Sequence, residues 1–209
     1  RVLALLKELN LAENTLVFFT SDNGGASREW DTENRLNNYG PFRGRKTTMY
    51  EGGLRVPMLA RWPGRIPAGR VSNFQWMFQD AMPTFADAAG EACPKDIDGM
   101  SVLPALMGRK QKPHSYLYWE NPSFNWQELK YAPGLPPQAL RMGDWKAVRP
   151  EQNGGLELYD LAKDPGESKD LAKAQPAVMA RVEAVLKDVR TEPRPQSQPP
   201  HRWFDKPWW

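Results

Sequence analysis

Cysteine is all but missing from this chain, with Cys93 the single one among 209 residues. An intrachain disulfide is therefore excluded, a state compatible with cytosol and equally with an exported protein that does without disulfides. Histidine is nearly as scarce: His114 and His201 are the only two, and both read as structural or solvent-facing. No apolar run is long enough for a membrane span, and no signal-peptide pattern is present. The formal charge of +3 is too small for a nucleic-acid footprint and gives only a weak preference for anionic ligands. Twenty prolines and sixteen glycines point to many loops rather than a helical bundle.

What is present organises around residues 15–57. Thr15 to Thr20 is β-branched and aromatic and reads as a buried strand. Ser21-Asp22-Asn23-Gly24-Gly25 breaks it. In an open α/β sheet, ligands sit beyond the carboxyl ends of strands. Asp22 and Asn23 there offer a carboxylate and an amide carbonyl, hard oxygen donors of the kind calcium or magnesium takes. The plain alternative for such a pair is a turn closed by side-chain-to-backbone hydrogen bonds. Farther on, Arg43, Arg45 and Lys46 precede Glu51-Gly52-Gly53. Oxygen donors followed by a cluster of cations point to a metal-assisted site for an oxyanion.

Around this stretch, residues 2–9 place Val2, Leu5, Leu6 and Leu9 on one helical face, with Asn10 as the stop. Helix feeding strand is half of a parallel α/β repeat, the other half being expected upstream. Arg1 is not a natural start, and the chain reads as the C-terminal piece of a longer protein. Residues 26–40 are a polar surface loop flanking the presumed site. A second strand runs from Arg55 to Trp62. A helix follows, with Pro83 at its first position and Gly90 at its stop, and a short one spans Leu103 to Met107. The basic run 108–114 marks a boundary. Beyond it SYLYWE, ALRMGDWKAVR and LELYDL are strands of a small antiparallel sheet, with a hairpin turn at Gly143-Asp144. A helix over 176–190, carrying Val178, Val182, Val185 and Val189, covers the sheet. The expected division is 1–114, the main domain; 115–190, the small subdomain; and 191–209, a tail rich in proline and tryptophan. The tail either docks on the body or stacks on a sugar or another subunit.

TSDNGG, FRGRKTTMYEGGLRVP and ARWPGRIPAG, with the later LRMGDWKAVR and LELYDLAKDPGESKDLA, resemble the arylsulfatase family of the alkaline-phosphatase superfamily. The matches are collinear and cover roughly residues 3–190. The resemblance implies an α/β fold: the C-terminal part of an alkaline-phosphatase-like sandwich plus a small α+β subdomain. It implies hydrolysis of a sulfate ester on a sulfated glycan or aryl sulfate, in a periplasmic, secreted or lysosomal protein. Asp22 and Asn23 would be Ca2+ ligands, Lys46 the sulfate-binding lysine, and Arg43 a residue pairing with acidic metal ligands. Arg28, Trp30 and Arg45 would line the substrate loops. Glu51 and Arg55 read as structural residues, a buried pair holding the loop. The family's spelling has glycine where this chain has Thr47 and commonly also where it has Arg45, so the anion contact belongs to Lys46 or, shifted by one, to Arg45.

The family's formylglycine nucleophile arises within CxPxR or SxPxR. Cys93-Pro94-Lys95 does not match, and Cys93 reads as a loop cysteine. The nucleophile, two further aspartates and the acid/base histidines are expected upstream, so the chain alone should be inactive. Two other readings stand beside this one. One is a phosphonate or phosphate monoester hydrolase of the same superfamily. The other is a non-catalytic module gripping an anionic glycan.

Overall fold

The computed structural model describes residues 1–26, 40–122, 124, 125 and 130–190. In chain order the first elements are α1 (Val2–Glu8), β1 (Val17–Thr20), α2 (Glu51–Leu54), β2 (Met58–Arg61), α3 (Ala81–Ala89) and α4 (Leu103–Leu106). The strands β3 (Leu117–Glu120), β4 (Phe124–Asn125), β5 (Lys130–Tyr131), β6 (Gln138–Met142), β7 (Trp145–Arg149) and β8 (Glu157–Asp160) follow, and α5 (Pro176–Asp188) is last. The chain divides into two compact units. One comprises Arg1–Asn23 and Arg55–Leu117, the other Gly24–Leu54 and the chain from Tyr118 onward.

In the first unit Asn10 takes a left-handed φ of +56° just after α1, as expected of an asparagine at a helix end. β1 and β2 pair antiparallel, Phe18 opposite Ala60 and Phe19 opposite Leu59. The parallel partner of β1 is expected upstream; within this unit its partner, β2, runs the other way. The two-residue period of the strand then sorts its side chains. Phe18 packs against Trp76 and Phe85, with ring centroids at 5.9 and 5.1 Å, whereas Phe19 and Leu59 are exposed. Val2, Leu5 and Leu9 of the α1 stripe are exposed as well.

A polar knot fixes the turn into α3. Asp80 is wholly buried and accepts the N–H groups of Met77 at 3.0 Å and Met100 at 2.9 Å. His114 Nε2 lies within 3.0 Å of both its carboxylate oxygens, giving that histidine a structural place. The Thr84 hydroxyl donates to the Asp80 carbonyl at 2.6 Å and accepts the Val102 N–H at 2.9 Å. Pro83 stands third in α3 rather than first, still inside the first turn, where a missing N–H costs no helical bond.

The second unit is built on an antiparallel sheet in the order β3-β6-β7-β8. β6 and β7 form the expected hairpin around Gly143-Asp144, with Met142 opposite Trp145. Alternation gives the sheet two unlike faces. Leu140, Ala147 and Leu158 face α5, where Val182 is completely buried among them and Val178, Val185 and Leu186 pack alongside. On the other face Ala139, Val148 and Tyr159 meet Met49 and Tyr50. Arg141, Lys146 and Tyr159 are aligned across the three strands, so this face carries charge among its apolar groups.

Replacing Asp80 by alanine strands the half-buried N–H groups of Met77 and Met100 and the His114 ring at once. Asp80→Ala is expected to destabilise the first unit by about 3 kcal/mol or more, measured as the shift in its chemical-denaturation midpoint. A midpoint within experimental error of the parent would remove the knot from this account of the fold.

Candidate active site

In the first unit, Thr20 at the end of β1 donates its hydroxyl to the Pro57 carbonyl at 2.9 Å, tying the two strands together where the polar turn starts. Ser21 Oγ donates to the Asn23 carbonyl at 3.0 Å, and the Asn23 N–H donates to Asp22 Oδ1 at 3.0 Å. The side-chain-to-backbone turn is thus formed. It leaves Asp22 exposed, with a carboxylate at the surface at the strand's carboxyl end. A calcium ion takes roughly six to eight oxygens. The donor types of Asp22 and Asn23 fit such an ion, and these two residues would hold one side of it. Among the described residues no three His, Cys, Asp or Glu side chains gather into a metal-binding group.

In the second unit, Arg43 to Leu54 form one compact turn. The Thr48 hydroxyl donates to the Arg45 carbonyl at 2.8 Å and lies 3.0 Å from the Arg45 N–H. The Gly52 N–H donates to the Arg43 carbonyl at 2.7 Å, and the Lys46 N–H to the Gly25 carbonyl at 2.9 Å. Gly24, the residue after Asn23 in the chain, donates its N–H to Gly53 at 2.9 Å. The backbones run so close there that a Cβ on Gly24 would collide with the Gly52 carbonyl. Gly44 has φ +79°, and a Cβ on it would strike Thr48 and Tyr50. Arg45, Lys46 and Thr47 are all exposed, so the turn holds two cationic side chains out in solvent.

Thr47 also has φ +79°. For a β-branched residue this left-handed conformation is strained. The glycine expected after the lysine would occupy it without cost, so the departure in spelling changes the strain and leaves the turn in place.

Beneath the surface residues, Lys146 Nζ is fully buried, 2.9 Å from Glu51 Oε1 and 2.8 Å from Glu167 Oε1. Glu167 Oε2 accepts the Glu51 N–H at 2.7 Å, and Arg141 Nη1 lies 3.6 Å from Glu51 Oε2. Two cations thus face two carboxylates. Burial pushes the Glu167 carboxyl above its ordinary range, against the pull of Lys146. Arg43 braces the same turn. Its guanidinium lies 3.9 Å over the Tyr50 ring and donates to Tyr159 Oη at 2.8 Å and the Glu167 carbonyl at 3.0 Å. Both tyrosines donate to Glu157 Oε2 at 2.7 Å. Burial and that hydrogen bond raise both phenol pKa values.

The model of the family "N-sulphoglucosamine sulphohydrolase, C-terminal" matches residues 38–192, a stretch holding the Lys46 turn and all four members of the buried charge set. The chain belongs to the sulfatases. It is 34% identical to the steryl-sulfatase of Mus musculus, an alignment spanning all of this chain and 38% of that protein. It is also 34% identical to the N-acetylgalactosamine-6-sulfatase of Canis lupus familiaris, over 83% of this chain and 37% of the relative. A Bacteroides thetaiotaomicron structure solved in work on the metabolism of multiple glycosaminoglycans superposes with a TM-score of 0.71. It is 26% identical, over 91% of this chain and 42% of its own. A phosphonate monoester hydrolase from Silicibacter pomeroyi gives a TM-score of 0.69 at 25% identity, over 94% of this chain and 39% of its own. This sulfatase chain therefore spans less than two fifths of the curated relatives it matches first. Its mixed helices and antiparallel sheets match a C-terminal portion of the alkaline-phosphatase-like fold.

Of the residues singled out in the sequence, Asp22 and Asn23 sit in the first unit, and Arg43, Arg45 and Lys46 in the second. Arg28 and Trp30 lie outside the described residues. Glu51 is buried as expected of a structural residue, and its partners within its own unit are Lys146 and Arg141. Lys146, Glu157 and Glu167 were not foreseen. The available signal was a lysine inside the strand WKAVR, at even spacing from the core residue Val148. Relief of the left-handed strain makes Thr47→Gly in this sulfatase a stabilising change of about 1 kcal/mol, seen as a raised midpoint in thermal or chemical denaturation. A lowered midpoint would show that the threonine is not strained there.

Proposed function

We propose that this chain is the C-terminal part of a calcium-assisted sulfuric ester hydrolase, with Lys46 as its sulfate-binding residue. The observation that carries the reading is the Lys46 turn itself: an exposed ammonium on a loop closed by backbone and hydroxyl hydrogen bonds, inside the span matched by the sulfatase family. Hydrolysis cleaves an ester at sulfur and yields an alcohol and sulfate. The ammonium of Lys46 would pair with the non-bridging sulfate oxygens, where negative charge persists from ground state to transition state. Asp22 and Asn23 would supply one side of a calcium site, and bound calcium would neutralise the sulfate further. The formylglycine nucleophile, the remaining metal ligands and the acid/base histidines would come from the rest of a longer polypeptide.

The substrate proposed is a sulfated carbohydrate. The N-acetylgalactosamine-6-sulfatase relative and the structure from glycosaminoglycan metabolism support that class. An exported or lysosomal location goes with it; no helix among the described residues is long and apolar enough to cross a membrane. A second reading, phosphonate or phosphate monoester hydrolysis, is favoured by the likeness to the phosphonate hydrolase. Comparing sulfate, phosphate and phosphonate esters on the enzyme that contains this chain separates the two.

In that enzyme Lys46→Ala is expected to lower kcat/KM by the equivalent of about 2–4 kcal/mol with little change in stability, because the side chain is exposed. Arg45→Gly should stay near the parent. The reverse pattern in folded proteins would move the anion contact to Arg45.

Asp22→Ala should reduce both calcium content and rate, since it removes a charged oxygen, and Asn23→Ala should do so less. Unchanged metal content and rate in Asp22→Ala would rule out its ligand role.

A further inference from the structure

We propose that Lys146 is a positioning residue for sulfate-ester hydrolysis: clamped between Glu51 and Glu167, it fixes the turn that presents Lys46. The proposal rests on the reading of Lys46 as the sulfate contact and adds the means by which the rest of the unit holds that contact in place.

Three observations carry it. First, the turn is not at ease by itself. Thr47, next to Lys46, is a β-branched residue at φ +79°, and such a conformation persists only where the surroundings over-determine it. Second, the end of the turn is held at two points by the clamp. The Glu51 carboxylate is fixed on Lys146 at 2.9 Å, and its N–H on Glu167 at 2.7 Å. From there the hold passes back along the turn through the Gly52 N–H on the Arg43 carbonyl and the Arg43 guanidinium on the Glu167 carbonyl. Third, packing does not require a lysine at this position. Lys146 shares a sheet face with Val148 and Ala139, and apolar residues of similar volume often replace a whole buried ion-pair set, though not one member of it, without loss of stability. A fully buried ammonium with two carboxylates within 3 Å supplies what an apolar side chain lacks, namely direction. It holds Glu51 at one point and one orientation, and Lys46 lies one turn of chain away. A displacement of about 1 Å in such a group costs up to roughly a hundredfold in rate.

A double-mutant cycle in the complete enzyme tests this, with steady-state kinetics on a sulfated sugar normalised to folded protein. Lys146→Met removes the cation. Glu167→Gln keeps the shape and an acceptor for the Glu51 N–H but removes the charge, and it decides the matter if Lys146→Met does not fold. Each is expected to lower kcat/KM about 10- to 100-fold when Lys46 is present, and less than about 3-fold when combined with Lys46→Ala, because the effect travels through Lys46. An equal loss in both backgrounds, the mark of a general structural role, overturns the proposal. So does an unchanged kcat/KM in folded Glu167→Gln. Failure of the underlying reading shows separately, as a Lys46→Ala single variant close to the parent.

Discussion

A lysine with no access to solvent, set between two carboxylates, is the interaction on which the second unit depends. Each of these three charges is costly to bury alone, and each is tolerated because the others are there. Arg141, 3.6 Å from Glu51, brings the set to two positive and two negative groups. Removing one member leaves a buried charge unpaired, a loss on the order of 3–5 kcal/mol. The pair of Lys163 with Asp160 is different. Its lysine side chain is 84% exposed, and such a surface contact contributes little. The buried set therefore decides where the turn from Arg43 to Leu54 lies, and the surface pairs do not.

The first unit uses the same device with other chemistry. Asp80 gathers two backbone N–H groups and a histidine, and Thr84 joins the start of α3 to the start of α4. Both units contain very short elements: β1, β2, α2 and α4 have four residues each. Elements that short do not hold long loops by their own hydrogen bonds, and the single cysteine excludes a disulfide clamp within the chain. Buried polar anchors take over that task. Under the proposed sulfatase reading this has a use, since the loops would carry the groups that meet a small anion with fixed geometry.

Much of the architecture was legible in the sequence because local chemistry determined it. Gly143-Asp144 between alternating strands could form little else than a hairpin, and the spacing of Val178, Val182 and Val185 put one face of α5 on the sheet. The direction in which β1 meets β2 was not legible, because strand composition carries no information about the partner. Pro83 was placed two residues early, since proline fits several positions of a first turn. The strain at Thr47 appeared in the sequence only as an irregular spelling, and the backbone gives it a physical meaning. Lys146 escaped notice because a lysine in a strand ordinarily faces solvent, and its partner Glu51 is 95 residues away in the chain. Arg43, which the resemblance pairs with acidic metal ligands, contacts Tyr50, Tyr159, Glu157 and the Glu167 carbonyl within the second unit.

The central claim is that the buried charge set holds the turn so that Lys46, and not Arg45, meets the sulfate. A crystal structure of the complete enzyme with sulfate and calcium bound tests it most directly. Lys46 Nζ is expected at about 2.8–3.0 Å from a sulfate oxygen, with Thr47 still left-handed and Lys146 still bridging Glu51 and Glu167. A sulfate held by Arg45 with the Lys46 side chain turned away, or a turn rebuilt with the bridge open, would contradict it.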